Sequence, residues 1–319
     1  MKNNYCFFTV FLFVMTFAVN GQIAISHVEE IPKLKKGATY VVMKNPESPQ
    51  SKEYVDIIKN NWTLSKVEFI KYDELSKYIS PESSFLTLSG YETSKQFTTL
   101  YQNGSSKSGI NYSTTHIYLE LWTCNAKYFE NTKKKEFGDK NKVQVARVEL
   151  FTDFPALSDP DLLFQSDYDG GGHIRNWSPG ILKNQIQALT FFVNKGEPRK
   201  LFTGVENKAE IEKLKKDVLY VPDYVLIKFN KFTGNESQKH SEKDVFEDYK
   251  FKYKLLTTAE LNQKILNDKT PFYYMIYIKS STDKYISVIN SLTGEIVYTK
   301  YAPVSYNIKS SDLKNIVEK

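Results

Sequence analysis

The strongest constraint on this chain is an eleven-residue stretch that occurs twice without a gap. Ile31-Pro-Lys-Leu-Lys-Lys-Gly-Ala-Thr-Tyr-Val41 returns as Ile211-Glu-Lys-Leu-Lys-Lys-Asp-Val-Leu-Tyr-Val221, with seven of eleven positions identical. Each copy opens a similar series. Lys66 to Tyr72 and Asp73 to Ile79 answer to Lys250 to Leu256 and Thr258 to Ile265, at a slightly longer offset, as small loop insertions require. In both copies a β-branched and aromatic run comes first. An amphipathic segment, a second run, a short helix carrying Leu75 or Leu261 and a third run at Phe85 or Phe272 follow. Strands alternating with helices predict α/β layering with parallel pairing, because parallel neighbours need a crossover. Two long units exclude a helical solenoid, which stacks many short ones.

After the third run, the second copy predicts an antiparallel meander. Phe272 to Lys279, Lys284 to Ile289 and Glu295 to Tyr301 are joined by linkers of hairpin length. In the first copy the matching runs are Phe85 to Tyr91, Thr115 to Thr123 and Val143 to Thr152, separated by long polar loops at 92–114 and 125–142. Ile117, Leu119 and Leu121 alternate with His116, Tyr118, Glu120 and Trp122, as one apolar strand face requires. The expected fold is α/β, grading into α+β: two tandem β-α-β-α-β-β-β repeats with mixed parallel and antiparallel sheets. Its expected divisions are a signal peptide at 1–21, a first repeat with long loops and a following helix at 22–196, and a second repeat at 197–319.

The first segment reads as a secretory signal, with Lys2 as the positive n-region, an apolar run from Phe7 to Val19, and Val19 and Gly21 at the −3 and −1 positions of a cleavage site. Thirteen apolar residues are too few to span a bilayer, and no later segment approaches about twenty. The expected location is therefore exported, periplasmic or extracellular, with no transmembrane segment after cleavage. Only Cys124 then remains, so no internal disulfide can form and the fold must rest on its core. A content of 41% hydrophobic and 14% aromatic residues can build one, and a net charge of +6 spread through scattered lysine pairs describes a solvated surface and not a nucleic-acid face.

Long loops on a rigid sheet are the default place for binding residues. In a meander, the 92–114 and 153–176 loops leave the sheet at the same end. The second of these carries Asp153, Asp159, Asp161, Asp167 and Asp169 with no basic residue before Arg175. Within it, Asp167-Tyr-Asp169-Gly-Gly-Gly-His173 pairs carboxylates with glycines that could wrap oxygen ligands around Ca2+. The pattern departs from an EF-hand at Gly171 and Ser178, and a glycine hinge before a helix accounts for the same residues. His173 could also serve as a transition-metal ligand or general base, but one histidine is too few for a zinc site. Ser178-Pro179 marks the helix start and Gly196 its stop.

No nucleophile elbow, metalloprotease helix, phosphate loop, dinucleotide fingerprint or Cys-x-x-Cys is present. His116 and Cys124 sit eight residues apart on one strand, roughly 26 Å when extended, and form no dyad. The expected function is an exported, non-catalytic ligand- or partner-binding or structural protein, needing no cofactor beyond a possible Ca2+ and meeting a protein or glycan partner. The expected site holds Tyr101, Tyr112, Tyr168 and His173 as ligand-binding residues and Asp167 and Asp169 as metal ligands; the three tyrosines suit a carbohydrate. The alternative is a metal-assisted hydrolase in the 153–176 loop using Asp167, Asp169 and His173. Mass spectrometry of protein recovered from the exported fraction should find Gln22 as the first residue; a chain beginning at Met1 or Lys2 overturns the signal-peptide reading.

Overall fold

The computed structural model describes residues 22–130, 136–166, 170, 172–230, 234–280 and 283–317, and the backbone alone for 93–100 and 106–115. The first half forms a six-stranded sheet from β1 (Ile23–Ile25), β2 (Ala38–Met43), β3 (Lys66–Lys71), β4 (Ser84–Leu100), β5 (Ser106–Cys124) and β6 (Lys142–Glu149). Its order is β1-β6-β5-β4-β2-β3. Helices α1 (Ile31–Lys36) and α2 (Lys52–Asn61) flank β2, α3 (Ala126–Phe129) follows β5, and α4 (Phe154–Ser158) and α5 (Pro179–Lys195) follow β6.

The second half forms another six-stranded sheet, from β7 (Val205–Glu206), β8 (Leu219–Pro222), β11 (Tyr253–Leu256), β12 (Tyr273–Ser280), β13 (Asp283–Asn290) and β14 (Ile296–Ala302), in the order β11-β8-β12-β13-β14-β7. A ribbon of β9 (Ile227–Lys228) and β10 (Gln238–Lys239) stands apart, and helices α6 (Lys208–Leu214), α7 (Glu242–Phe246), α8 (Thr258–Asn267) and α9 (Ser310–Val317) complete the half.

Both sheets are mixed, as expected. β2 pairs in parallel with β3 and β4, and β8 with β11 and β12; the other pairings within the sheets are antiparallel. The parallel pairs follow connections that carry a helix or a 3-10 turn and so supply the crossover, whereas β4–β5, β12–β13 and β13–β14 pair antiparallel across short turns and β5–β6 across the longer connection that carries α3. Every residue of β12 is buried, which accounts for its unbroken Tyr-Tyr-Met-Ile-Tyr-Ile run.

Local signals place the helix ends. Thr257 and Glu260 cap α8 reciprocally, the Thr257 backbone N–H donating to Glu260 Oε2 at 2.8 Å and the Glu260 N–H to Thr257 Oγ1 at 3.2 Å. Ser178 caps α5, Pro179 opens it, and Gly196 at φ +68° ends it. Helix α5 packs against α2 on one side and α8 on the other. One apolar core runs from Ile23 through Ile186 and Leu189 to Tyr277 and Val317, and so includes both halves. A second, smaller cluster of Val42, Ile70, Phe85, Trp122 and Cys124 covers the other face of the first sheet.

Several expectations need correction. The 92–114 segment is largely strand: β4 and β5 continue as a paired ribbon to a turn at 101–105, with a bulge between Gln96 and Thr98. Short edge strands β1 and β7, which no periodicity announces, close the antiparallel side of each sheet. The stretch expected as a short helix at Asp73 to Ile79 is a 3-10 turn at Tyr72–Tyr78. The polar face of β5 is also covered, with His116, Tyr118, Glu120 and Trp122 all buried. Trp122 stacks on Phe85 at 4.3 Å and donates its indole N–H to Thr87 Oγ1 at 3.1 Å.

Gly37 is one of the four positions at which the two opening stretches differ, and it has a local cause. A Cβ built there would lie 1.8 Å from the backbone oxygen of Glu82, so the chain passes too close for any side chain. Replacing Gly37 by alanine must displace backbone, at a cost of about 1–3 kcal/mol. Urea denaturation of Gly37→Ala checks this, and an unchanged midpoint would contradict it.

Candidate functional site

A cleft of about 710 Å3 opens where β1, β5 and β6 of the first sheet come beside β13 and β14 of the second, with residues 198–203 along one wall. Strand register assembles its floor. Tyr91 on β4 lies opposite His116 on β5, and their rings stack at 4.5 Å and 9°. Arg147 on β6 lies over the Tyr118 ring at 4.5 Å and the Tyr91 ring at 5.3 Å, so its charge rests on two π faces.

Beneath the floor, Arg147 forms an ion pair with Glu149, whose side chain is fully buried. Ser280 Oγ donates to Glu149 Oε2 at 2.7 Å and also meets His116 Nδ1 at 2.9 Å, which ties β12 to β5 and β6 across the two halves. Burial raises the Glu149 carboxyl above its ordinary range, against the pull of Arg147. A serine, a histidine and a glutamate in contact suggest acyl-transfer chemistry, but the order is wrong. Here the hydroxyl sits between the other two, and Ser280 is only 2% exposed. This network holds the halves together.

The opposite wall comes from the segment after α5. Arg199 pairs with Ile25 through N–H···O bonds of 2.8 and 2.9 Å, which covers the free edge of β1. Its guanidinium donates to the Ile23 and Thr203 carbonyls at 3.1 and 2.7 Å and lies 4.3 Å over the Phe192 ring. Burial lowers Arg199 to about 10, with no carboxylate among the described residues offsetting that burial, and it remains charged at neutral pH. A turn closed by Thr203 N to Lys200 O at 2.8 Å leaves Lys200 exposed and Phe202 51% exposed at the rim.

Across the cleft, Tyr301 donates to Asp283 Oδ2 at 3.2 Å and packs on Tyr285 at 5.2 Å. Burial, with Asp283 adding to it, pushes the Tyr301 phenol up to about 12, and burial likewise raises Tyr118 to about 12. Both phenols are therefore neutral hydrogen-bonding groups. Arg147, Arg199 and Lys200 face one carboxylate in the lining, Asp283.

Of the residues expected from the sequence, Tyr101 and His173 lie elsewhere. Tyr101 is at the tip of the β4–β5 ribbon, about half exposed, and Tyr112 is on β5 opposite Lys95. Asp167, Tyr168 and Asp169 fall outside the described residues. His173 bonds through Nδ1 to Asp153 Oδ2 at 2.9 Å, and this contact closes the acidic stretch on itself. Asp153 also caps α4, accepting from the Ala156 N–H at 3.1 Å, and Asp159 accepts from the Asp161 N–H at 3.3 Å. The nearby cations are not spent on these aspartates: Arg175 and the buried Lys279 both pair with Glu236. No group of three or more metal-ligating side chains occurs among the described residues. His173 and Tyr101 line neither this cleft nor the other cavities described.

In the sequence His116 stands only as a strand residue too far from Cys124 for a dyad, and Arg147, Arg199, Lys200, Asp283 and Tyr301 are not singled out. Their spacing marks no site: Arg147 and Glu149 stand on β6 with Lys142 and Gln144, a mixed pattern that an ordinary half-exposed strand also shows. The chain matches no protein-family model, and neither a curated protein nor a solved structure is significantly similar to it.

Removing one partner of a buried ion pair leaves the other uncompensated, at a cost of about 3–5 kcal/mol. Arg147→Met should lose stability on that scale in chemical denaturation, and adding Glu149→Met should restore most of the loss. A single variant as stable as the parent would show that the pair does not hold the junction.

Proposed function

We propose that this chain is an exported, non-catalytic binding protein whose ligand occupies the cleft between the two sheets. The observation that carries this reading is the composition of the cleft. Half-exposed aromatic rings, Tyr91 and Phe202, stand beside three cations and a carboxylate held in defined positions by packing and backbone bonds. Pockets of a few hundred Å3 with apolar walls and a small number of placed polar groups are what small ligands use. The one serine–histidine contact beneath the floor is enclosed and in the wrong order for a nucleophile, which favours binding over turnover.

Export rests on the apolar first segment of the sequence; no helix among the described residues is long and apolar enough to cross a membrane. We also propose that the halves descend from one duplicated unit. The matched opening stretches and the common placing of parallel and antiparallel strands in the two sheets support this.

A binding cleft is tested by NMR with a mixed set of small amino acids, organic acids and sugars. Amide shifts should cluster around Tyr91, Lys200, Phe202 and Tyr301, and Thr203→Trp, which fills the cleft, should abolish them. Shifts that gather elsewhere, or none at all, would overturn the reading.

A further inference from the structure

We infer that the ligand of this cleft is an acidic saccharide, a sugar chain bearing carboxylates. The inference rests on the binding reading above and narrows it to a chemical class.

Three features of the lining act together. The first is charge. Arg147 is already matched by Glu149 below the floor, so it adds little net field, whereas Lys200 stands exposed at the rim and no carboxylate among the described residues offsets the burial of Arg199. Positive charge therefore prevails along the 198–203 wall, and a ligand anion is favoured there.

The second feature is Asp283. A carboxylate accepts hydrogen bonds and cannot donate them, so its presence in a cationic cleft disfavours a ligand that is anionic throughout, such as a polyphosphate. A carboxylate has several acceptor positions, so beside its existing partners it can also accept from hydroxyl or N–H donors on the same molecule. Tyr301 bonds to Asp283 and shares its wall, which holds that acceptor in place. Gln144 lines the same cleft and is held by its 2.6 Å bond to Glu120 Oε1.

The third feature is the pair of partly open rings. Tyr91 is 40% exposed although its ring is stacked on His116, and Phe202 is 51% exposed beside Tyr301 at 6.4 Å. Each ring keeps open surface at the edge of a polar cleft and has a cation over it, Arg147 at 5.3 Å from Tyr91 and Lys200 at 5.7 Å from Phe202, so an apolar surface for the C–H face of a pyranose lies beside a charge for its carboxylate. A sugar acid is the ligand class that supplies all three complements at once: carboxylate, hydroxyl donors and an apolar ring face. An acidic peptide would supply the anion and N–H donors, but its backbone has no pyranose C–H face to lay on Tyr91 and Phe202.

Calorimetric titration with hexagalacturonate, using cellohexaose as the uncharged control, tests the class. The acidic probe should bind at least about tenfold more tightly, and its binding should weaken as salt is raised. Lys200→Ala should weaken hexagalacturonate on the order of tenfold, the loss of one charge-assisted contact, and leave cellohexaose unchanged; Phe202→Ala should weaken both. Unaltered thermal melting shows that these rim variants are folded. Equal binding of the two probes, or acidic binding indifferent to both substitutions, overturns the acidic-saccharide class. So does the absence of binding by hexagalacturonate when the NMR shifts still map to the cleft, and in that case the cleft reading survives. If those shifts also lie elsewhere, both readings fall.

Discussion

Helix α5 is the element on which the arrangement of everything else depends. It carries the chain from one sheet to the other, and it is buried on nearly every side. Several of its polar groups find partners in the second half, and its contact with α2 meets the first. The Gly180 N–H donates to Asn262 Oδ1 at 2.7 Å, and a Cβ at Gly180 would press on Asn262 and Ile265 at 3.0 Å. Asn184 donates to the Ser291 carbonyl and accepts from the Tyr274 hydroxyl. A Cβ at Gly294, where φ is +70°, would lie 2.7 Å from the Asn184 backbone oxygen, so glycine lets the β13–β14 turn come this close to the helix. These contacts leave the helix one depth and one rotation. They fix the helix on the second half, and its packing against α2 then brings the first half to it.

Much of the architecture was legible because its determinants are local. β2 runs from Ala38 to Met43 as its β-branched residues require, and the ends of α5 follow from Ser178, Pro179 and Gly196. The β12–β13–β14 meander follows from short turns between apolar runs. The 92–114 segment reads as a loop because it is polar throughout, rich in Ser, Thr, Gln and Tyr, with no apolar alternation. In β4 and β5 the register with the neighbouring strand decides the conformation, and composition does not.

The cleft was not legible at all. Tyr91, Arg147, Arg199, Asp283 and Tyr301 come from five separated parts of the chain, and nothing in the spacing of one announces another. The acidic stretch attracted attention for the opposite reason: its aspartates are close in sequence. In the fold Asp153 and Asp159 serve as helix caps, and His173 is occupied by Asp153. Clustering in sequence marked a place where the backbone needed acceptors. Convergence in space marked the place where an external molecule could find donors.

The β4–β5 ribbon gives the cleft an unusual mechanical setting. Pairing with β6 stops near Tyr118, and β2 reaches only as far as Leu86 along β4. Past Tyr91 the two strands continue with each other alone for roughly 30 Å at about 3.3 Å per residue. The stacked pair at the root of this ribbon, Tyr91 and His116, is also the floor of the cleft. The ribbon is thus a lever whose fulcrum lies inside the cleft, so that a load applied at its tip would be felt first where Arg147 rests on Tyr91.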